Sequence, residues 1–84
     1  MNSKQRSTLK AVFANSVNGN RPWREIESLL LALGATKDEG RGSAVSFFLN
    51  GKRLDVHRPH PNKEALNYRV RAVREFLMQA GVTP

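Results

Sequence analysis

Cysteine is absent from the 84 residues, which excludes disulfides and thiolate metal sites and leaves packing to supply the stability. Long apolar runs are missing too. The densest stretch, residues 26–33, falls far short of the ~20 residues that span a bilayer. No apolar signal-peptide core opens the chain, so a cytoplasmic protein without membrane contact is expected. Acidic residues are scarce. Seven Asp and Glu stand against fourteen Lys and Arg, for a net charge of +7. A chain this short holds one small core and has no room for a cofactor domain beside a substrate domain, so no cofactor is expected. The charge excess points to a polyanionic partner, with nucleic acid as the commonest.

The charge is uneven. Between Lys52 and Arg74 lie Lys52, Arg53, Arg58, Lys63, Arg69, Arg71 and Arg74, opposed only by Asp55 and Glu64, a local balance of +5. Such a stripe is either a solvated face that keeps the protein soluble or a phosphate-binding surface.

The periodicity predicts an amphipathic helix over residues 3–14, with Leu9, Val12 and Phe13 on its apolar side. Residues 15–20, rich in Asn and Gly, read as a loop. A second helix opens at Pro22, whose missing N–H suits a first turn, and buries Ile26, Leu29, Leu30 and Leu33. Gly34 is placed to end it. A short edge strand is expected over residues 35–37, followed by a loop over 38–42. The strongest local signal is a hairpin, residues 43–49 and 52–57, joined by Asn50-Gly51 in a type I′ turn. That turn sets Leu49 opposite Lys52, Phe47 opposite Leu54, Val45 opposite Val56 and Ala44 opposite His57. One sheet face is then apolar, and the other carries Ala44, Ser46, Phe48, Arg53, Asp55 and His57. The prolines of Arg58-Pro59-His60-Pro61 make a stiff loop. Asn62 and Asn67 are both candidate N-caps for a last helix, and Asn67 with a helix over 67–80 fits better. Val70, Val73, Phe76, Leu77 and Ala80 form its core side, and Gly81 ends it. The expected fold is α+β: a three-stranded antiparallel sheet with helices on one face.

His57 and His60 share the stiff loop region beside Arg58, with Arg53 on the strand face of His57. A base flanked by guanidinium groups is what metal-free RNA cleavage requires. The bland alternative makes His57 a strand terminus and His60 a polar loop residue. Two histidines and scattered carboxylates give no metal-ligand spacing, so no metal site is expected. Gly40-Arg41-Gly42-Ser43 lacks the Gly-Lys-Ser/Thr ending of a phosphate loop and reads as a hinge. Trp23 and Phe13 read as core. Phe48, on the open face, has three readings: it stacks on a base, covers a partner, or lies under an N-terminal segment.

The segment Pro22-Trp23-Arg24-Glu25-Ile26 to Gly34-Ala35 carries a resemblance, together with Gly40-Arg41-Gly42-Ser43, the Asn50-Gly51 hairpin, the His-Arg-Pro-His-Pro run and Phe76-Leu77-Met78-Gln79-Ala80-Gly81-Val82. In this order and spacing, over residues 21–82, they resemble HicA toxins. The resemblance implies a small fold like a double-stranded-RNA-binding domain at residues 21–84, with residues 1–20 as an N-terminal helical extension. It also implies a ribosome-independent mRNA endonuclease, with mRNA as substrate and a HicB-like antitoxin as partner. Arg41, Arg53, Arg58, Lys63, Arg69, Arg71 and Arg74 are then the candidate RNA contacts, His57 and His60 the candidate catalytic residues, and Phe48 with His57 the candidate partner surface. The family's catalytic histidine falls where this chain has Ala44, which neither accepts nor donates a proton. Three readings follow: His57 replaces that base, the chain is an inactive member that binds RNA or its partner, or it is an inactivated variant of an active toxin.

Overall fold

A computed structural model of the chain describes residues 1–14 and 19–84. The expected loop over 15–20 falls mostly outside them. The elements run α1 (Ser3–Val12), α2 (Trp23–Ala32), β1 (Thr36–Glu39), β2 (Ala44–Leu49), β3 (Lys52–His57) and α3 (Asn67–Gln79). The fold is α+β, with a single antiparallel sheet of order β1-β2-β3.

Asn2 and Gln5 start α1 with a reciprocal capping box. The Asn2 side chain accepts from the Gln5 N–H at 2.8 Å, and the Gln5 side chain accepts from the Asn2 N–H at 2.9 Å. Leu9 and Val12 then turn inward onto the same core as α2, to which Gln5 Nε2 is tied through Ser28 Oγ at 3.0 Å. Pro22 caps α2 with φ near −60°, and Trp23, Ile26, Leu29 and Leu30 are its buried stripe. Leu33, expected inside, is half-buried at the C-cap. Gly34, at φ +100°, reverses the chain there, and Ala35 N–H returns to Leu30 O.

The hairpin forms in the expected register. Asn50 and Gly51 both have positive φ, 51° and 76°, as a type I′ turn demands. All six pairs from Ala44↔His57 to Leu49↔Lys52 follow from it. Val45, Phe47, Leu49 and Leu54 are buried under the helices, and the alternate residues face outward. Asn50 also donates its side-chain amide to Ala80 O at 2.7 Å, fastening the turn to the C-terminal end of α3.

Two boundaries differ from expectation. The edge strand is longer and shifted, Thr36–Glu39, because β2 offers a continuous ladder from Phe48 to Val45; Asp38 and Glu39 are therefore strand, not loop. Asn67 does not cap α3. It is the first helical residue, and the cap position belongs to Leu66, which makes no side-chain cap bond. The cause is a close crossing. Leu66 N–H donates to Gly19 O at 3.0 Å, and a Cβ on Gly19 would lie 2.6 Å from both the amide nitrogen and the Oδ1 of Asn67. Only glycine fits there.

Leu66 itself sits at φ 70°, ψ 154°, a region that costs a side-chain-bearing residue about 1–3 kcal/mol. Leu66 is exposed, so its removal loses little packing. Glycine gives back about 0.5–1 kcal/mol through unfolded-state entropy. Leu66→Gly should therefore stabilise the domain by about 1 kcal/mol, a rise of roughly 4–8 °C in Tm. A thermal melt with an unchanged or lower Tm would show that the strain is not there.

Candidate functional site

Three cross-strand rows cover the open face of the sheet: Thr36, Phe48 and Arg53; Asp38, Ser46 and Asp55; and Ala44 with His57. At the β3 side, α3 rises beside this face. Between them lies a cleft of about 700 Å³, lined by Ala44, Ser46, Arg53, Asp55, His57, Tyr68 and Arg69 among others.

His57 is the last residue of β3, and the turn register fixes it across from Ala44. Its backbone is held on both sides. Arg69 Nε donates to His57 O at 3.1 Å, and the next amide, Arg58 N–H, donates to Ser43 O at 2.7 Å. Ser43 Oγ lies 3.5 Å from His57 Nδ1. The other ring nitrogen makes no bond among the described residues, and the side chain is exposed to the cleft. His60 does not line the cleft. Its Nδ1 accepts from Asn62 N–H at 3.2 Å, within its own loop.

Asp55 is an ionised acceptor. The Ser46 hydroxyl, first, and the Arg53 guanidinium, second, hold its carboxyl below the usual carboxylate range. Arg53 in turn lies over the Phe48 ring, 5.5 Å from the centroid, and Arg69 lies 4.7 Å from the centroid of the exposed Tyr68. The site thus offers an imidazole, two guanidinium groups, two aromatic rings and a fixed carboxylate on one open surface.

The remaining cations divide by occupation. Arg58 points to the helix side of the sheet. Its guanidinium grips Glu27, with Nη2 at 3.2 Å, and Glu39, with Nη1 at 2.8 Å. Glu27, 13 % exposed, also accepts from Trp23 Nε1 and pairs with Lys37 at 3.8 Å. Arg58 therefore closes a partly exposed ion cluster that joins α2, β1 and the segment after β3, and it depresses the Glu39 carboxyl by hydrogen bond and charge. Arg74 closes the C-terminal end of α1, donating to Val12 O and Ala14 O at 2.7 Å each. The Glu27 cluster carries no signature in local pattern, except that Trp23 and Glu27 are one helical turn apart. Arg41, Lys63 and Arg71 are exposed and form no ion pair among the described residues.

Among these residues no group of three or more His, Cys, Asp or Glu is arranged to hold a metal ion. No described helix is long and apolar enough to cross a membrane.

A family model described as HicA toxin of bacterial toxin–antitoxin matches residues 23–82, well over half of the chain. The chain belongs to the HicA toxin family. It is thereby a toxin of a toxin–antitoxin system. No curated protein and no solved structure gave a significant match. The HicA match begins at Trp23, the first residue of α2, so α1 lies ahead of the matched segment. It takes in all three strands, α3, and every residue of the open-face cleft.

Proposed function

We propose that the open sheet face binds mRNA and that the cleft is the site of its cleavage, with a HicB-like antitoxin as the partner that covers Phe48 and His57. The observation that carries this reading is His57, held opposite Ala44 in a cleft that also presents Arg53 and Arg69. The neutral imidazole takes the proton of a ribose 2′-OH, and O2′ attacks the adjacent phosphorus. The P–O5′ bond breaks, leaving a 2′,3′-cyclic phosphate, and O5′ takes a proton from water. Arg53 and Arg69 keep N–H groups free of protein partners and stabilise the charge on the phosphorane. No metal is needed for these steps.

Ala44 favours a second reading, in which the chain binds RNA and antitoxin without cutting. The two part on one assay: labelled single-stranded RNA incubated with purified protein in EDTA. Cleavage supports the nuclease, and a stable complex supports the binder. Both require salt-dependent affinity. Each phosphate contact adds about 0.7 to the slope of log K against log salt for a single strand. Arg41→Gln, Lys63→Gln and Arg71→Gln together should lower that slope by about 2. RNA affinity that is absent, or insensitive to salt, would end both readings.

A further inference from the structure

Tyr68 is the most exposed large hydrophobic side chain among the described residues, at 60 %. It is the second residue of α3, it lines the cleft, and it takes no part in the core. Its hydroxyl makes no hydrogen bond among the described residues. Packing therefore does not require an aromatic ring at this position. The ring is nevertheless held. Arg69 is fixed by two backbone acceptors, His57 O at 3.1 Å from Nε and Ala65 O at 3.4 Å from Nη1, and its guanidinium lies 4.7 Å from the Tyr68 centroid. An exposed ring positioned in advance loses little freedom when another group stacks on it.

The surroundings of the ring say what that group is. Ala72 stands one turn further along α3, at the i+4 position from Tyr68, and Val56 of β3 packs against the core. Both are half-buried, and both line the cleft. Tyr68, Ala72 and Val56 thus supply an apolar wall, and His57, Arg53 and Arg69 supply the polar and cationic groups of the same cleft. Arg69 links the two sides, since it touches the ring and the backbone of His57. A flat apolar body joined to an anion matches both sides, and a nucleotide has that make-up. An apolar side chain of a partner protein would fill the wall and bring no charge to Arg69. We infer that Tyr68, with Ala72 and Val56, forms a subsite for one unpaired nucleobase beside the phosphate at His57, so that the cleft selects single-stranded over paired RNA. The inference rests on RNA binding at the cleft and adds what that binding reads. In a duplex the π-faces of the bases are covered by stacking, and a base reaches the ring only after leaving the helix.

The test uses a mixed-sequence RNA of about 12 nucleotides, alone and annealed to its complement, each titrated against the full chain over a range of salt. Its riboses carry 2′-O-methyl groups, which remove the attacking hydroxyl and keep cleavage out of the measurement. The unaltered chain should bind the single strand about tenfold more tightly than the duplex. Tyr68→Ala should lower affinity for the single strand about tenfold, within the range of one lost base stack, and leave duplex affinity as it was. The salt slope should not change, because no phosphate contact is removed. Tyr68→Phe keeps the ring and should keep the affinity. Tyr68→Leu keeps apolar bulk without the ring and should lose affinity as alanine does, and circular dichroism reports whether α3 is retained in each variant. Equal binding of single strand and duplex by the unaltered chain overturns the subsite, as does normal single-strand binding by Tyr68→Ala, while salt-dependent RNA binding at the cleft stands. A lower salt slope in Tyr68→Leu assigns the loss to phosphate contacts and also overturns it. If Tyr68→Ala keeps its RNA affinity but loses the antitoxin, the occupant of the wall is a protein and the inference is wrong. If the unaltered chain binds neither RNA, the reading of the cleft falls and the subsite with it.

Discussion

Trp23→Ala should leave the chain without a cooperative thermal transition near that of the unaltered protein, with Tm lowered by roughly 15–30 °C. Trp23 is wholly buried at the start of α2, packed in the core that α1, the sheet and α3 share. Removing a buried tryptophan costs about 3–5 kcal/mol. A domain of this length has a total stability of only about 5–10 kcal/mol, and each kcal/mol is worth about 4–8 °C in Tm. The indole also has a polar duty, since its Nε1 donates to Glu27, the carboxylate that holds Arg58 and Lys37. Trp23→Phe separates the two duties. It keeps most of the packing and loses the donor, while the two cations still neutralise Glu27, so its cost should be smaller, about 1–2 kcal/mol. A Trp23→Ala protein that melts within a few degrees of the original would mean that the core lies elsewhere.

The same indole shows what the sequence could and could not reveal. Its burial is legible, because Trp23 heads a stripe with Ile26, Leu29 and Leu30 at helical spacing. The hairpin is legible for a stronger reason: Asn50-Gly51 permits one turn type, and one turn type permits one register, so His57 and Ala44 are paired by a two-residue signal. Contacts between distant segments leave no such trace. Arg58 reads from the sequence as a neighbour of His57 on a basic stripe, yet its guanidinium turns to Glu27, 31 residues away. Arg74 reads as a member of the same stripe, and its partners are carbonyls 60 and 62 residues earlier. The missing cap of α3 has the same origin, because the crossing at Gly19, not the preference of asparagine for a cap, decides the backbone at Leu66 and Asn67. Local chemistry sets the elements. The partners of long, flexible cations are set only once the elements have packed.

If the unaltered chain cleaves RNA, His57→Ala should lower the rate by about 10²–10⁴, the span of a lost general base, and should leave RNA affinity and Tm nearly unchanged. The side chain is exposed and supports no core contact, so the loss is chemical and not structural. His60→Ala should retain the rate, because His60 accepts from Asn62 N–H within its own loop and lies outside the cleft. Ala44→His supplies the converse. Directly opposed residues on antiparallel strands place their Cβ atoms about 4.5–5.5 Å apart, so a histidine at 44 enters the cleft beside His57. An inactive chain that becomes a nuclease on Ala44→His had every part of the site but the base, and the second reading, a binder without cleavage, is then correct for the unaltered chain. An active chain whose rate survives His57→Ala sinks the assignment of His57, and the base must then be sought among the other polar groups of the cleft, which include Asp38, Ser46, Asp55 and Tyr68.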